Sequence, residues 1–187
     1  MKYSIVFPSY DPDRKRDELI ARSLFSVVAN SEGHDYEIIP VRNVKGFTTA
    51  VNTGFAKATG DYLIMVADDV VIEDPAWLKK MAVPNAITAW RMVPFFLTGE
   101  QMPDAACWGM SRGVYQKIGP MDDIFAEGYG FDDNDYWWRA KQLGIELVDA
   151  NVQLYHKEND AYNQYWGPER QALLDRNQAI FRQKWGL

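Results

Sequence analysis

Apolar positions in the first part of the chain follow two alternating rhythms: short uninterrupted runs, and a recurrence every three to four residues. Tyr3 to Phe7 is a run halted by Pro8-Ser9-Tyr10-Asp11-Pro12, which predicts a buried strand ending in a turn-rich loop. From Arg14 to Asn30 the apolar residues Ile20, Leu24 and Val27 or Val28 recur at helical spacing, with Asn30-Ser31-Glu32-Gly33 as the stop. Tyr36 to Val41 predicts a second strand. Thr48 to Thr59 predicts a second helix, with Val51, Phe55 and Ala58 on one face, Gly54 permitting close packing and Gly60 ending it.

Tyr62 to Ala67 is apolar without alternation, the pattern of a strand covered on both faces in a parallel sheet, and it ends abruptly in Asp68-Asp69. A β-α-β-α-β order predicts a doubly wound sheet with its ligand crevice outside the carboxyl ends of the strands. Pro8-Ser9-Tyr10, Arg42-Asn43 and Asp68-Asp69 all fall at such ends. The second half is less regular. It predicts a strand over Ala105 to Met110, a helix over Asp133 to Leu143, short strands at Ile145 to Val148 and Val152 to Tyr155, and a terminal helix over Gly167 to Lys184.

Length and charge narrow the picture. A chain of 187 residues, 47% hydrophobic, can bury one good core and is too short for two ordinary domains. Its net charge of −6 supplies no basic field for a nucleic acid, so no nucleic-acid partner is expected. A single cysteine, Cys107, can neither close an internal disulfide nor build a thiolate metal site, which fits a reducing compartment. The apolar run before Pro8 is far shorter than a secretory leader, and no stretch approaches the roughly 20 apolar residues of a membrane span. A cytoplasmic protein with no integral membrane segment is expected. Aromatics reach 14%, several in polar segments, which fits a platform for a sugar or base as well as core filling.

Two acidic clusters are candidates for chemistry. Adjacent carboxylates at the end of a buried strand are costly unless solvent or a cation takes up their charge, so Asp68-Asp69 is a candidate site for magnesium or manganese shared with a diphosphate. The plainer reading makes both solvated loop residues or caps for the Pro75-Ala76-Trp77 turn. Phe131-Asp132-Asp133-Asn134-Asp135 follows Glu127-Gly128-Tyr129-Gly130 and opens a helical stretch. There Asp132 serves as a helix cap, or Asp133 points into the crevice as a base whose pKa is raised by burial and lowered by the helix start. Asp135 and Arg139, four apart, are expected to form a surface pair. His156 follows a short strand and is either an ordinary histidine or a metal ligand; His34 has only the ordinary reading. Trp108-Gly109 is a sugar platform or core packing.

Taken in order, these segments resemble the GT-A glycosyltransferases, closest to glycosyltransferase family 2 and with features of the family 7 galactosyltransferases. Tyr3 to Tyr10 resembles the first strand and nucleotide loop of family 2. Gly46-Phe47, Asn52-Thr53-Gly54-Phe55 and Ala58-Thr59-Gly60-Asp61-Tyr62 resemble its run into the metal motif. Ala67-Asp68-Asp69 occupies the place of the Asp-x-Asp motif, with Ala67 where the first Asp is expected and Asp69 on the metal position. Gly128 to Asp135, with Arg139, resembles the Gly-aromatic-Gly-x-Glu-Asp-x-Asp motif; Asp133 falls on the base, and Asp132 replaces the usual Glu. His156 resembles the histidine that completes the metal shell in several members, and Lys184-Trp185-Gly186 resembles the ending of many family 2 domains. Where family 2 often carries an Asp that reads uracil, this chain has Arg42-Asn43.

The resemblance implies an α/β fold: one GT-A domain with a Rossmann-like, mixed but mostly parallel sheet flanked by helices. It also implies a nucleotide-binding half over residues 1–70 and an acceptor half over 71–187. The implied reaction moves a sugar from a nucleotide-diphosphate sugar, UDP-sugar favoured, to a hydroxyl of a glycan or other acceptor, with inversion. By the same resemblance, Asp133 is the general base and Asp69 with His156 holds Mn2+ or Mg2+. Pro8, Ser9, Tyr10, Arg42, Phe47 and Asp68 bind the nucleotide, and Trp108, Gly109, Tyr129 and Asp132 shape the acceptor site. The alternatives are a non-catalytic nucleotide-sugar or glycan-binding module and a sugar-phosphate nucleotidyltransferase, whose Gly-rich basic loop is missing from Phe7-Pro8-Ser9-Tyr10.

Overall fold

A computed structural model describes residues 1–126, 130–157, 165 and 167–187. Strand β1 (Lys2–Ser9) is followed by α1 (Asp17–Asn30), β2 (Asp35–Arg42), α2 (Phe47–Lys57) and β3 (Tyr62–Val66), the alternation expected from the sequence. The second half continues with β4 (Val70–Ile72), α3 (Trp77–Met81), β5 (Ala86–Ala89), β6 (Met92–Pro94), β7 (Gln101–Pro103) and β8 (Cys107–Ser111). It ends with α4 (Arg112–Ile118), α5 (Asp132–Gln142), β9 (Glu146–Asp149), β10 (Leu154–His156) and α6 (Arg170–Trp185).

The central sheet runs in the order β2-β1-β3-β8-β5-β9. Only β8 is antiparallel to its neighbours, pairing Met65 with Trp108 on one side and Thr88 with Gly109 on the other. The sheet is therefore mixed and mostly parallel. Both faces are covered, as the unbroken apolar run of β3 requires. Tyr62, Ile64 and Val66 pack with Ile20 and Val27 of α1 and with Trp77 of α3, whereas Leu63 and Met65 pack with Val51 and Phe55 of α2, Trp137 of α5 and Phe181 of α6.

Helix α2 lies close on β1 because position 54 has no side chain; a Cβ there would come within 2.1 Å of a Val6 methyl. Helix α1 starts three residues later than its periodicity predicts. The Asp11 carboxylate accepts the Lys15 and Arg16 N–H groups at 2.9 and 2.8 Å, which holds those residues in a turn outside the helix. A pair of strands stands apart from the main sheet at each side of the crevice. These are β4 with β10, and the hairpin β6–β7, both antiparallel.

Candidate active site

A cleft of about 440 Å³ opens outside the carboxyl ends of β1 and β3, the position the strand order predicts. Its floor is the loop after β1. Asn43, in the left-handed region at the end of β2, donates its N–H to the Ser9 carbonyl at 2.7 Å and accepts the Asp11 N–H at 2.9 Å on Oδ1. Pro8, Ser9 and Tyr10 thus form a tethered wall, faced by Val44, Gly46, Phe47 and Ala50 from the start of α2. The slot between them is mostly apolar, with two aromatic rings, and suits the flat faces of a nucleobase.

Asp68 and Asp69 are both buried at the rim of this floor, and each carboxylate has its own partner. The guanidinium of Arg16 meets Asp68 with two parallel bonds, Nη1 to Oδ2 at 2.7 Å and Nη2 to Oδ1 at 2.8 Å, a pairing only the planar Arg fork makes. Arg16 was not singled out by sequence; it lies in a charged stretch of the loop before α1, and nothing local tells it from its neighbours Arg14 and Lys15. The Arg16 charge offsets part of the cost of placing Asp68 beside Asp69, although burial, first, and the Asp69 charge still push the Asp68 carboxyl above its ordinary range.

Asp69 is left to the cleft. Strand β10 runs antiparallel to β4 with His156 opposite Val70, and the Lys157 N–H bonds the Asp69 carbonyl at 3.0 Å. This register sets His156 Nε2 3.3 Å from Asp69 Oδ1. Two ligands with bonds of about 2.1 Å at right angles lie about 3 Å apart, so one oxygen and one imidazole nitrogen at this separation suit manganese or magnesium. Among the described residues no group of three or more such side chains gathers, so the remaining positions would fall to diphosphate and water.

The opposite wall is the start of α5. Phe131 precedes the helix with φ 68°, a left-handed conformation that costs free energy in a bulky residue and that surrounding packing must hold. Its ring is buried against Phe95 and Phe181. Asp132 and Asp133 then begin the helix and both line the cleft. Burial pushes both carboxyls above the ordinary range, and for Asp133 the adjacent Asp132 charge adds to the rise. A carboxylate with raised proton affinity on a ligand cleft suits general-base work near neutral pH.

Asp135 faces the other way. Its side chain is fully buried, with Arg139 at 3.2 Å, Lys184 at 2.8 Å and the Trp185 indole N–H at 2.9 Å, so the expected surface pair with Arg139 is a buried network joining α5 to α6.

The roof is the β6–β7 hairpin, which supplies Val93, Pro94, Phe95, Phe96, Met102 and Pro103. Phe95 is buried, but Phe96 is 68% exposed at the cleft edge with its ring 5.7 Å from Phe131. Three-residue strands are too short to show a period, and the hairpin was not foreseen.

Three expected site residues stand apart from the cleft, and a fourth lies outside the described residues. Trp108 is fully buried with Phe55 and Trp137 edge-on to its ring, so it has no open face to serve as a platform. Gly109 lies in mid-sheet, where a Cβ would come within 2.6 Å of the Leu63 carbonyl; its lack of a side chain serves strand packing. Arg42 is exposed at the end of β2 and is not part of the cleft lining. Tyr129 falls outside the described residues. His34 packs edge-on against Tyr3, far along the sheet from the cleft.

Comparison with known proteins adds to this geometry. Residues 11–84 match the model of the family described as Glycosyl transferase family 2. A sequence comparison with curated proteins finds no match. Among solved structures, the catalytic domain of Drosophila beta1,4galactosyltransferase 7 in complex with xylobiose superposes with a TM-score of 0.68 at 16% identity, over 86% of this chain and 72% of that one. A mutant form in complex with manganese, UDP-Gal and xylobiose gives 0.67 at 15% identity, over 87% and 73%. The mannosyltransferase PcManGT from Pyrobaculum calidifontis, in complex with GDP-Man and Mn2+, gives 0.57 at 13% identity, over 79% of this chain and 54% of that one. No helix among the described residues is long and apolar enough to cross a membrane. A match to the family 2 model over residues 11–84 thus sits in a mixed, mostly parallel α/β fold similar to that of these galactosyl- and mannosyltransferase structures.

Proposed function

We propose that this chain transfers a sugar from a nucleotide-diphosphate sugar, UDP-sugar favoured, to a hydroxyl of a glycan acceptor, by direct displacement with inversion and with a divalent cation bound. The observation that carries this reading is the convergence on one cleft of an aromatic base slot, an Asp69–His156 donor pair and the Asp132–Asp133 pair. Residues 1–70 supply the nucleotide side and residues 71–187 the acceptor side.

Tyr10 and Phe47 enclose the base, and the Ser9 side of the tethered loop carries the ribose and phosphates. Asp68 keeps the floor in place through Arg16. Asp69 and His156 would hold the cation, whose charge offsets that of the departing diphosphate. Phe96 offers an open ring on which the apolar face of an acceptor sugar can rest. The acceptor oxygen attacks the anomeric carbon, its proton passes to the Asp133 carboxylate, and the bond from that carbon to the diphosphate oxygen breaks. No covalent sugar–protein intermediate is involved.

The test is a thermal-shift series with UDP, GDP, CDP and dTDP, each with and without manganese. A ligand at about 100 times its Kd adds roughly 2.7 kcal/mol to stability, a rise of several degrees for a chain of this size. At least one diphosphate is expected to raise Tm only when manganese is present, and Asp69→Ala should abolish that rise. No stabilisation by any of the four, with or without manganese, would overturn the reading.

A further inference from the structure

The two helix starts that face the cleft meet in an asymmetric contact. Thr48, fully buried in the first turn of α2, donates its hydroxyl to Asp132 Oδ2 at 3.1 Å across 84 residues of chain. Both ends of this bond are fixed. The start of α2 is pressed against the chain before α5, where a Cβ on Gly46 would come within 2.1 Å of the Ala126 carbonyl. The start of α5 is held by the strained Phe131 and by Asn177 of α6, whose amide donates to the Gly130 carbonyl at 3.0 Å. The neighbouring Asp133 carboxylate bonds the Asn134 N–H at 2.8 Å.

Two adjacent carboxylates, Asp132 buried and Asp133 half-buried, resist ionising together, and a donor on one of them makes that one the weaker base. The other charged groups around the pair are already matched. Asp104 across the cleft is bonded by Arg91 at 2.8 Å, Asp135 on the same helix by Arg139 and Lys184, Asp68 by Arg16, and Asp69 lies beside His156. Each carboxylate also has a backbone donor, the Asp133 N–H on Asp132 and the Asn134 N–H on Asp133, so the Thr48 hydroxyl is the side-chain donor that sets the two apart.

Resting on the reading of Asp133 as the general base, we propose that Thr48 is a positioning residue: its hydroxyl stabilises the Asp132 carboxylate, so that when both carboxyls are ionised the acceptor's proton goes to Asp133 and Asp132 keeps its charge. Thr48→Val removes the hydroxyl at nearly constant shape, Thr48→Ala removes it with a smaller side chain, and Thr48→Ser retains it. Carbonyl-carbon NMR titration of the aspartates in the donor-free protein follows each carboxyl directly. In Thr48→Val and Thr48→Ala, Asp132 should titrate roughly one pH unit higher and Asp133 lower, as loss of one hydrogen bond to a charged group implies.

Turnover should fall about tenfold in both variants with donor affinity unchanged, the acid limb of the pH–rate profile should move with the Asp133 titration, and Thr48→Ser should behave as the parent. Unchanged titrations of both aspartates in Thr48→Val and Thr48→Ala would overturn the proposal, even if turnover fell. Normal turnover in Asp133→Asn would instead remove the base assignment, while the titrations would still report on Thr48.

Discussion

Asp135 has no exposed surface and three donors, from Arg139, Lys184 and Trp185, so its carboxylate is a structural anchor just beyond the Asp132–Asp133 pair. Breaking a buried ion pair by removing one partner costs about 3–5 kcal/mol, which in a chain of this size lowers Tm by on the order of 10 °C. Asp135→Ala is therefore expected to show that loss in thermal unfolding, and a Tm within 2–3 °C of the parent, roughly the effect of 1 kcal/mol, would contradict the network's role. Residue chemistry was legible where a run of sequence fixes it. Asp68-Asp69 at a strand end and Asp132-Asp133 at a helix start were both visible, and both line the cleft. Arg16 and Thr48 were not, because their meaning comes from partners 52 and 84 residues away. For Trp108 the residues left a sugar platform and core packing open for the same reason: sequence gives the ring but not the Phe55 and Trp137 neighbours that decide for the core.

Among the elements, β1 to β3 with α1 and α2 were readable because their apolar runs and helical recurrences are several residues long. β6, β7 and the reversal at β8 were not, since strands of three to five residues carry too little periodicity to show direction. The hairpin so missed forms the roof of the cleft. Its tip is tied to α5 by a Glu100–Lys141 ion pair, with Lys141 also over the Trp138 ring. Phe96 remains exposed beside this anchored frame. If its ring carries an acceptor sugar, Phe96→Ala should raise the acceptor KM by about 2- to 10-fold, the worth of one aromatic contact, with the donor KM unchanged. Equal effects on both substrates would place the hairpin's contribution elsewhere.

Over the whole molecule, the sheet's two ends do different work. At the end away from the cleft, Glu37 accepts bonds from the Ser4 hydroxyl at 2.6 Å and from the Thr59 N–H and hydroxyl at 2.7 and 2.8 Å, with Lys2 at 3.1 Å. Burial pushes the Glu37 carboxyl up, but these donors outweigh it and hold it down from 4.5 to about 2. A depressed carboxyl stabilises the fold above its unfolded value, and that contribution is lost as pH falls from about 4.5 towards 2. Tm is expected to drop across that window in the parent and less steeply in Glu37→Gln; parallel curves would contradict it. At the cleft end the sign reverses. Asp133, with its proton affinity raised, favours the fold at low pH and opposes it as pH rises, so the proposed base would cost stability. The central claim is tested most directly in Asp133→Asn, with initial transfer rate, donor affinity and Tm measured together at neutral pH. The account predicts a rate loss of about 10²- to 10⁴-fold, near-normal donor affinity and a Tm no lower than the parent's; near-normal transfer by the folded variant would contradict it.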